Sequence, residues 1–140
     1  MSLSSSATTP AYVPYRQVGN LLFVSGQLPI RDGRLIATGI VGASVDLETA
    51  ADAAAEAARL CLKTAATALG SLDAIAHVVK VTGYVAATAD FVDHATVMDA
   101  ASRVFTEALG AAGEHARVAI GVASLPKGAP VEVEAIFALN

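Results

Sequence analysis

Near its C-terminus the chain runs VEVEAIF at residues 131–137, where apolar and acidic residues alternate at the start. Alternation of this kind predicts a β-strand with two unlike faces. Glu132 and Glu134 are two residues apart and therefore share one face with Ile136 and Ala138. A solvated strand face is one interpretation, but a half-apolar face favours a contact with another subunit.

Outward from this strand, the chain alternates between strand-like and helix-like segments. A turn at residues 126–128 separates it from another predicted strand at 116–123, and β-branched residues predict a strand at 78–85. Residues 17–24 predict two strands joined by a tight Gly-Asn turn, because both turn residues tolerate the positive φ that such turns need.

Two helices are predicted between these strands. Asp46 is the expected N-cap of the first helix, which ends at Gly70. Asp90 is the expected N-cap of the second helix, which stops near Gly110. The element order ββ, α, β, α, ββ leaves two helices to cover one face of the sheet. The other face must then meet water or another subunit.

The composition predicts one domain that assembles with copies of itself. Of the 140 residues, 54% are apolar and only 16% are charged, whereas soluble domains have about 25% charged residues. A chain of this length buries about 68–70% of its unfolded surface, so the apolar excess indicates burial by a partner, and we predict a homo-oligomer. Residues 1–10 are Ser/Thr-rich and are expected to form a flexible arm, with residues 11–140 as the domain.

The sequence predicts neither a membrane span nor a secretory signal. The Ala-rich segment 50–69 is long enough to span a bilayer, but four charged residues interrupt it: Asp52, Glu56, Arg59 and Lys63. The first ten residues lack the basic and apolar regions of a signal peptide. Cys61 is the single cysteine, so no intrachain disulfide can form. This is typical of the reducing cytoplasm, where we expect the protein to be.

The charge distribution argues against nucleic acid as a partner. The net charge is −4, and the nine basic residues are scattered along the chain. No cluster among them could neutralise several phosphates. The chain has no Trp and only 5% aromatic residues, which leaves little surface for stacking on bases.

No catalytic or metal-binding motif is evident from spacing alone. The histidines His77, His94 and His115 do not have metal-ligand spacing, so surface or capping roles are favoured. Cys61 is expected in the core. No Ser/His/Asp arrangement is evident, although Ser25 and His115 could meet in space.

Arg117 opens an otherwise apolar predicted strand. Because arginine is costly to bury, two placements remain open for it. Its residue type alone favours the rim of the sheet. The alternative is a position where the planar guanidinium binds a carboxylate through two hydrogen bonds.

Four stretches resemble the RidA (YjgF-like) family. They are Pro14-Tyr15 with GNLLFVSGQLP at 19–29, VKVTGYV at 79–85, Asp90-Phe91 at the start of the second helix, and ARV at 116–118 with VASLPKGAPVEVEA at 122–135. The resemblance spans residues 14–138, nearly the whole chain, in the correct order and spacing.

This resemblance implies an α+β fold of the chorismate-mutase-like type, with a mixed β-sheet and two helices packed on one face. It implies a homotrimer whose open sheet faces pack inward and whose ligand clefts lie at the subunit interfaces. The implied activity is hydrolysis of reactive 2-imino and 2-enamino acids, such as 2-aminoacrylate, to 2-keto acids and ammonia. No cofactor and no metal are implied.

The resemblance also implies roles for six residues: Tyr15, Ser25, Gly26, Arg117, Ala119 and Glu132. Arg117 is expected to bind the substrate carboxylate with the Gly26 backbone N–H, and Glu132 to position or activate water. Tyr15 and Ser25 line the cleft, and Ala119 contributes its backbone carbonyl.

Two departures from the family pattern bear on the site. Ala119 stands where the family has a cysteine, so thiol chemistry is lost. Asp99 stands in the second helix where the family has an asparagine. If Asp99 faces the cleft, it adds a negative charge that opposes an anionic substrate.

Two other functions are alternatives to deamination. One is a non-catalytic trimeric module that binds small carboxylates such as keto acids, which Arg117 alone would support. The other is the endoribonuclease activity often attached to the family. The acidic net charge and the lack of a histidine pair for RNA cleavage argue against it.

Overall fold

The computed structural model describes residues 10–140, so the predicted arm at residues 1–10 lies outside it except for Pro10. The α-helices and β-strands within this range are β1 (Tyr15–Val18), β2 (Leu21–Gln27), β3 (Ile30–Arg31), β4 (Arg34–Leu35), α1 (Leu47–Leu69), β5 (Ile75–Ala86), α2 (His94–Leu109), β6 (Ala116–Val122) and β7 (Val131–Leu139). None of the helices described here is long and apolar enough to cross a membrane.

Five strands form one mixed sheet in the order β1-β2-β7-β5-β6, and β3 and β4 form a separate small hairpin. β5 and β6 run parallel, whereas the other neighbours are antiparallel. β7 is the middle strand, where buried Val131 and Val133 alternate with half-buried Glu132 and Glu134. The alternation predicted at residues 131–137 is confirmed.

Both helices pack on one face of the sheet, as predicted, with α1 against β2 and β7 and α2 against β5 and β6. The ends of α1 are confirmed: Asp46 accepts a hydrogen bond from the Thr49 N–H at 2.8 Å, and Gly70 follows the helix with φ +82°. Small side chains let α1 lie close to its neighbours. Its fully buried alanines are Ala50, Ala53, Ala54, Ala57, Ala58 and Ala65.

The start of α2 differs from the prediction. The helix begins at His94, with Asp93 as its N-cap, and not after Asp90. The Phe91 N–H donates to the Thr88 carbonyl at 3.1 Å, which closes a turn across Asp90 and keeps it out of the helix. Asp90 and Asp93 both satisfy the sequence rule for an N-cap, and this turn decides between them.

The second face of the sheet, called the open face below, carries Glu132 and Glu134 and is covered by no element of residues 10–140. Large apolar side chains share it, and their exposed fractions are 62% for Val18, 40% for Phe23 and 41% each for Val118 and Ile120. Exposed apolar area of this kind is typical of an interface. Its burial by another subunit stays a prediction.

Candidate functional site

One cleft lies where the edge strand β6 meets α2. Its volume is about 490 Å³, and it is lined by Asp99, Ser102, Thr106, Glu114, His115 and Arg117. Arg117 lies opposite the buried Val81, so its side chain is on the helix-covered face. Its Nη1 lies 2.9 Å from Asp99 Oδ1 and 3.1 Å from Ser102 Oγ. Arg117 is therefore at the rim of the sheet and is also paired with a carboxylate.

The carboxylate of Asp99 does face this cleft. The side chain of Arg117 is 21% exposed and that of Asp99 is 51% exposed. Asp99 thus neutralises part of the arginine charge, but it occupies only some of the five guanidinium donors. A small carboxylate that enters the cleft can bind the remaining donors or displace Asp99.

Ser102 and His115 form a hydrogen-bonded pair in the same cleft. Ser102 Oγ lies 2.8 Å from His115 Nε2, and His115 Nδ1 lies 2.6 Å from the Gly113 carbonyl oxygen. His115 is partly exposed and bonds the carbonyl of Gly113, the last residue of a short 3-10 turn, which agrees with the predicted surface or capping role. The contact with Ser25 that the sequence left open is not made. The Ser25 hydroxyl instead donates to the Val13 carbonyl at 2.7 Å. No sequence pattern pointed to Ser102, because its partner lies near the start of β6 and local residue preferences do not predict that contact.

The other two histidines and the cysteine form no comparable side-chain hydrogen bond with a serine among the described residues. His77 is exposed on β5, and His94 packs edge-on against Phe91 at the start of α2. Cys61 is fully buried, as predicted, and its burial raises the pKa of the thiol. Residues 10–140 contain no group of three or more His, Cys, Asp or Glu side chains that could hold a metal ion.

Gly26 and Glu132 meet in a second cleft, whose volume is about 460 Å³ and which Ser25 also lines. The register of β2 against β7 shifts by one residue at Ser25 and Gly26, which is a β-bulge. The Glu132 carboxylate packs on Gly26, and a Cβ added to Gly26 would overlap Glu132 Oε2. The missing side chain at Gly26 therefore leaves the room that this carboxylate occupies.

Tyr15 and Ala119 lie apart from the second cleft. Tyr15 begins β1 opposite Val24, and together with Ser25 it lines a groove of about 390 Å³. Ala119 lies on β6, two residues beyond Arg117, and packs against the core. The predicted site residues thus fall in three places within one chain.

Arg117 and Glu132 lie on opposite faces of the sheet. Arg117 is aligned with Val81, which is buried under the helices, whereas Glu132 is aligned with Tyr84 on the open face. One chain therefore does not bring both side chains to the same small ligand. A site that uses both needs a second copy of the chain.

The two glutamates of the open face differ in their surroundings. Partial burial, and then the charge of Glu134, raise the pKa of the Glu132 carboxyl. The Tyr84 hydroxyl donates to Glu134 Oε1 at 2.7 Å, and this hydrogen bond, followed by burial, raises the pKa of Tyr84 to about 12. Glu134 is held by Tyr84, whereas the raised pKa of the Glu132 carboxyl suits an acid or base.

Replacing Glu132 with glutamine is expected to stabilise the protein more near pH 7 than near pH 4. The folded state raises the pKa of Glu132, so the stability that this group contributes is present below the unfolded pKa and is lost as pH rises towards the folded pKa. Urea unfolding of wild type and Glu132→Gln at both pH values measures the difference. Glu107→Gln, on the exposed side of α2, controls for the loss of one negative charge. A Glu132→Gln effect that is equal at both pH values would contradict the raised pKa.

Comparisons with known proteins agree with the fold and the motifs. The family model for endoribonuclease L-PSP matches residues 3–139. Protein TCP17 of Trypanosoma cruzi is 40% identical over 138 residues, covering 96% of this chain and 86% of that protein.

Two solved structures are also similar to this chain. The protein Atu1372 from Agrobacterium tumefaciens, described as having unknown function, has a TM-score of 0.91 and 44% sequence identity. The match covers 93% of this chain and 82% of the Atu1372 chain. TdcF from E. coli with bound serine has a TM-score of 0.66 and 27% sequence identity. The match covers 94% of this chain and 90% of the TdcF chain. The chain belongs to the endoribonuclease L-PSP family, which is the YjgF/RidA family that its sequence motifs predicted.

Proposed function

We propose that the protein hydrolyses 2-imino and 2-enamino acids, such as 2-aminoacrylate, to 2-keto acids and ammonia without a cofactor. The proposal includes a cytoplasmic homotrimer of chorismate-mutase-like subunits, with a ligand cleft at each interface. The observation that carries it is the placement of Arg117 and Glu132 on opposite faces of the sheet. Arg117, the cation that would bind the substrate carboxylate, and Glu132, the carboxyl that would activate water, can then meet only at an interface between two copies of the chain.

Each group has a definite task in this reaction. Arg117 binds the substrate carboxylate, and the Gly26 N–H assists from the neighbouring copy. Glu132 orients a water molecule and takes its proton as the oxygen attacks the imine carbon. Glu132 passes this proton to the imine nitrogen, which gives the carbinolamine. The hydroxyl proton then moves to the nitrogen as the C–N bond breaks, so that ammonia leaves and the 2-keto acid remains. Because imines hydrolyse readily, the barrier to be lowered is modest and few groups suffice.

The bound serine of the similar protein TdcF supports this class of ligand. Serine is a small molecule with a carboxylate next to a nitrogen-bearing carbon, which is also the arrangement in a 2-imino acid. Tyr15 and Ser25 line the groove beside β1, and Ala119 lies beside Arg117 on β6. We propose that these residues complete the walls of the cleft.

A module that binds small carboxylates without catalysis is the second candidate. The Asp99–Arg117 pair at 2.9 Å favours it, because Asp99 offsets part of the charge that would polarise a substrate. An endoribonuclease remains disfavoured, since a net charge of −4 repels the phosphate backbone.

Two inactive variants are expected to restore activity to each other. Arg117→Ala keeps Glu132, and Glu132→Ala keeps Arg117. Co-expressed in equal amounts and purified as mixed trimers, they should give about one third of the wild-type rate, because each site takes one side from each of two neighbours and a mixed trimer has one complete site among its three. The assay follows keto-acid release from 2-aminoacrylate generated in place by a serine dehydratase.

Each variant purified alone is the control and is expected to stay near the uncatalysed rate. If the wild type is active but the mixed trimers are no faster than the separate variants, the shared site is wrong. If the wild type binds a keto acid through Arg117 and releases no keto acid above the buffer rate, the binding module is the function.

A further inference from the structure

The Ser102–His115 pair has the geometry of a nucleophile with its base. The two atoms that would exchange a proton, Ser102 Oγ and His115 Nε2, are 2.8 Å apart. The third member is the Gly113 carbonyl oxygen, 2.6 Å from the other ring nitrogen. A serine, a histidine within hydrogen-bond reach and a third group that orients the histidine are the parts of an activated serine.

The Gly113 carbonyl fixes the position of one hydrogen on the His115 ring. A backbone carbonyl can only accept, so His115 Nδ1 carries the hydrogen that it shares with Gly113. In the neutral ring Nε2 is then an acceptor, and the Ser102 hydroxyl donates to it. Arg117 Nη1 donates to the same Ser102 oxygen at 3.1 Å. The serine oxygen is thus aimed at a base on one side and at a positive charge on the other.

Packing holds the histidine in this orientation. The fully buried Phe105 packs edge-on against the His115 ring, with 5.5 Å between ring centroids. Gly113 lies so close to the backbone at Phe105 that a Cβ there would overlap the Phe105 carbonyl. The glycine therefore permits the tight turn after α2 that brings its own carbonyl to the imidazole.

The charges around the pair indicate an uncharged substrate. Asp99 already pairs with Arg117, and Glu114 adds a second carboxylate to the wall of the cleft. These three side chains sum to one negative charge, so an uncharged ester enters the cleft without having to displace Asp99 from Arg117, as an anion must. Arg117 remains close enough to the serine oxygen to stabilise negative charge that develops beside it.

We propose that Ser102 is a nucleophile activated by His115, and that the pair hydrolyses small uncharged carboxylic esters. This reaction shares Arg117 and its cleft with the proposed imine hydrolysis, but its nucleophile and base both lie on one chain. Ser102 Oγ attacks the ester carbonyl while His115 Nε2 takes its proton. The bond to the alkoxy oxygen breaks, and that oxygen leaves as the alcohol with the proton from His115. Water, deprotonated by His115, then releases the carboxylic acid and restores Ser102.

Diisopropyl fluorophosphate tests the nucleophile directly, since an activated serine forms a bond to phosphorus and expels fluoride. Mass spectrometry of the purified wild-type protein is expected to place the adduct on Ser102, and labelling should block hydrolysis of 4-nitrophenyl acetate. The exposed Ser124 serves as the internal comparison and is expected to stay unlabelled. Neither readout depends on turnover of an imine.

Two variants separate activation from mere exposure of the serine. His115→Gln is expected to slow labelling of Ser102 by about 10²-fold or more, because it removes the base. Ser124→Ala is the matched control and should label at the wild-type rate, with circular dichroism as the check on folding. Equal labelling of Ser102 and Ser124, no adduct on Ser102, or an unchanged rate in folded His115→Gln would each show that the pair only ties α2 to β6.

Discussion

Replacing Arg117 with alanine is expected to lower the rate of keto-acid release from 2-aminoacrylate by about 10²–10³-fold. The substitution removes the cation proposed to hold the substrate carboxylate. It also leaves Asp99, now 2.9 Å from Arg117, without its partner. An unpaired carboxylate in the cleft repels an anionic substrate, so both changes act in the same direction.

The measurement is keto-acid release by wild type and variant at equal protein concentration. Arg103→Ala removes a positive charge from the exposed side of α2 and is the matched control. It should leave the rate within a factor of about two, because its charge is screened by solvent. Equal rates in wild type and Arg117→Ala would refute the deaminase proposal, since no other charged side chain is assigned to the substrate carboxylate.

Replacing Phe105 with alanine is expected to lower the free energy of unfolding by about 3–5 kcal/mol. Phe105 is fully buried and packs against Phe137, with 6.2 Å between ring centroids, and against His115. Its loss leaves a cavity where α2 meets the middle of the sheet. Domains of this size are stable by about 5–15 kcal/mol, so the variant keeps little margin.

Urea unfolding at equal protein concentration measures this loss. Tyr12→Ala truncates an aromatic side chain that is 66% exposed and is the matched control. It is expected to change the free energy of unfolding by about 0.5 kcal/mol or less. A Phe105→Ala loss no larger than that of Tyr12→Ala would mean that Phe105 does not anchor α2 on the sheet.

The parts of the fold that follow from local chemistry could be predicted from the sequence. The alternation of apolar and acidic residues predicted the two faces of β7. The ends of α1 were recognisable because Asp46 and Gly70 each make their capping hydrogen bond to a residue only three or four positions away. The predicted start of α2 was wrong because a turn at residues 88–91 precedes the helix. No local residue preference indicates the hydrogen bond that closes this turn.

The candidate site depended more on contacts between distant segments. The family resemblance singled out Arg117, Asp99 and Glu132, but only the strand register placed the arginine and the glutamate on opposite faces. Ser102 was missed because its partner comes from a different element. Hydrogen bonds of this kind depend on how α2 packs against β6, which no local pattern encodes.

The alanines of α1 have a consequence for the entropy of folding. An alanine side chain has no rotamers to lose when it is buried, so this layer orders at almost no side-chain entropy cost. The same absence of rotamers leaves the layer no way to adapt, since only movement of the backbone could accommodate a larger side chain. We therefore infer that along α1 an added methyl group is more damaging than a lost one.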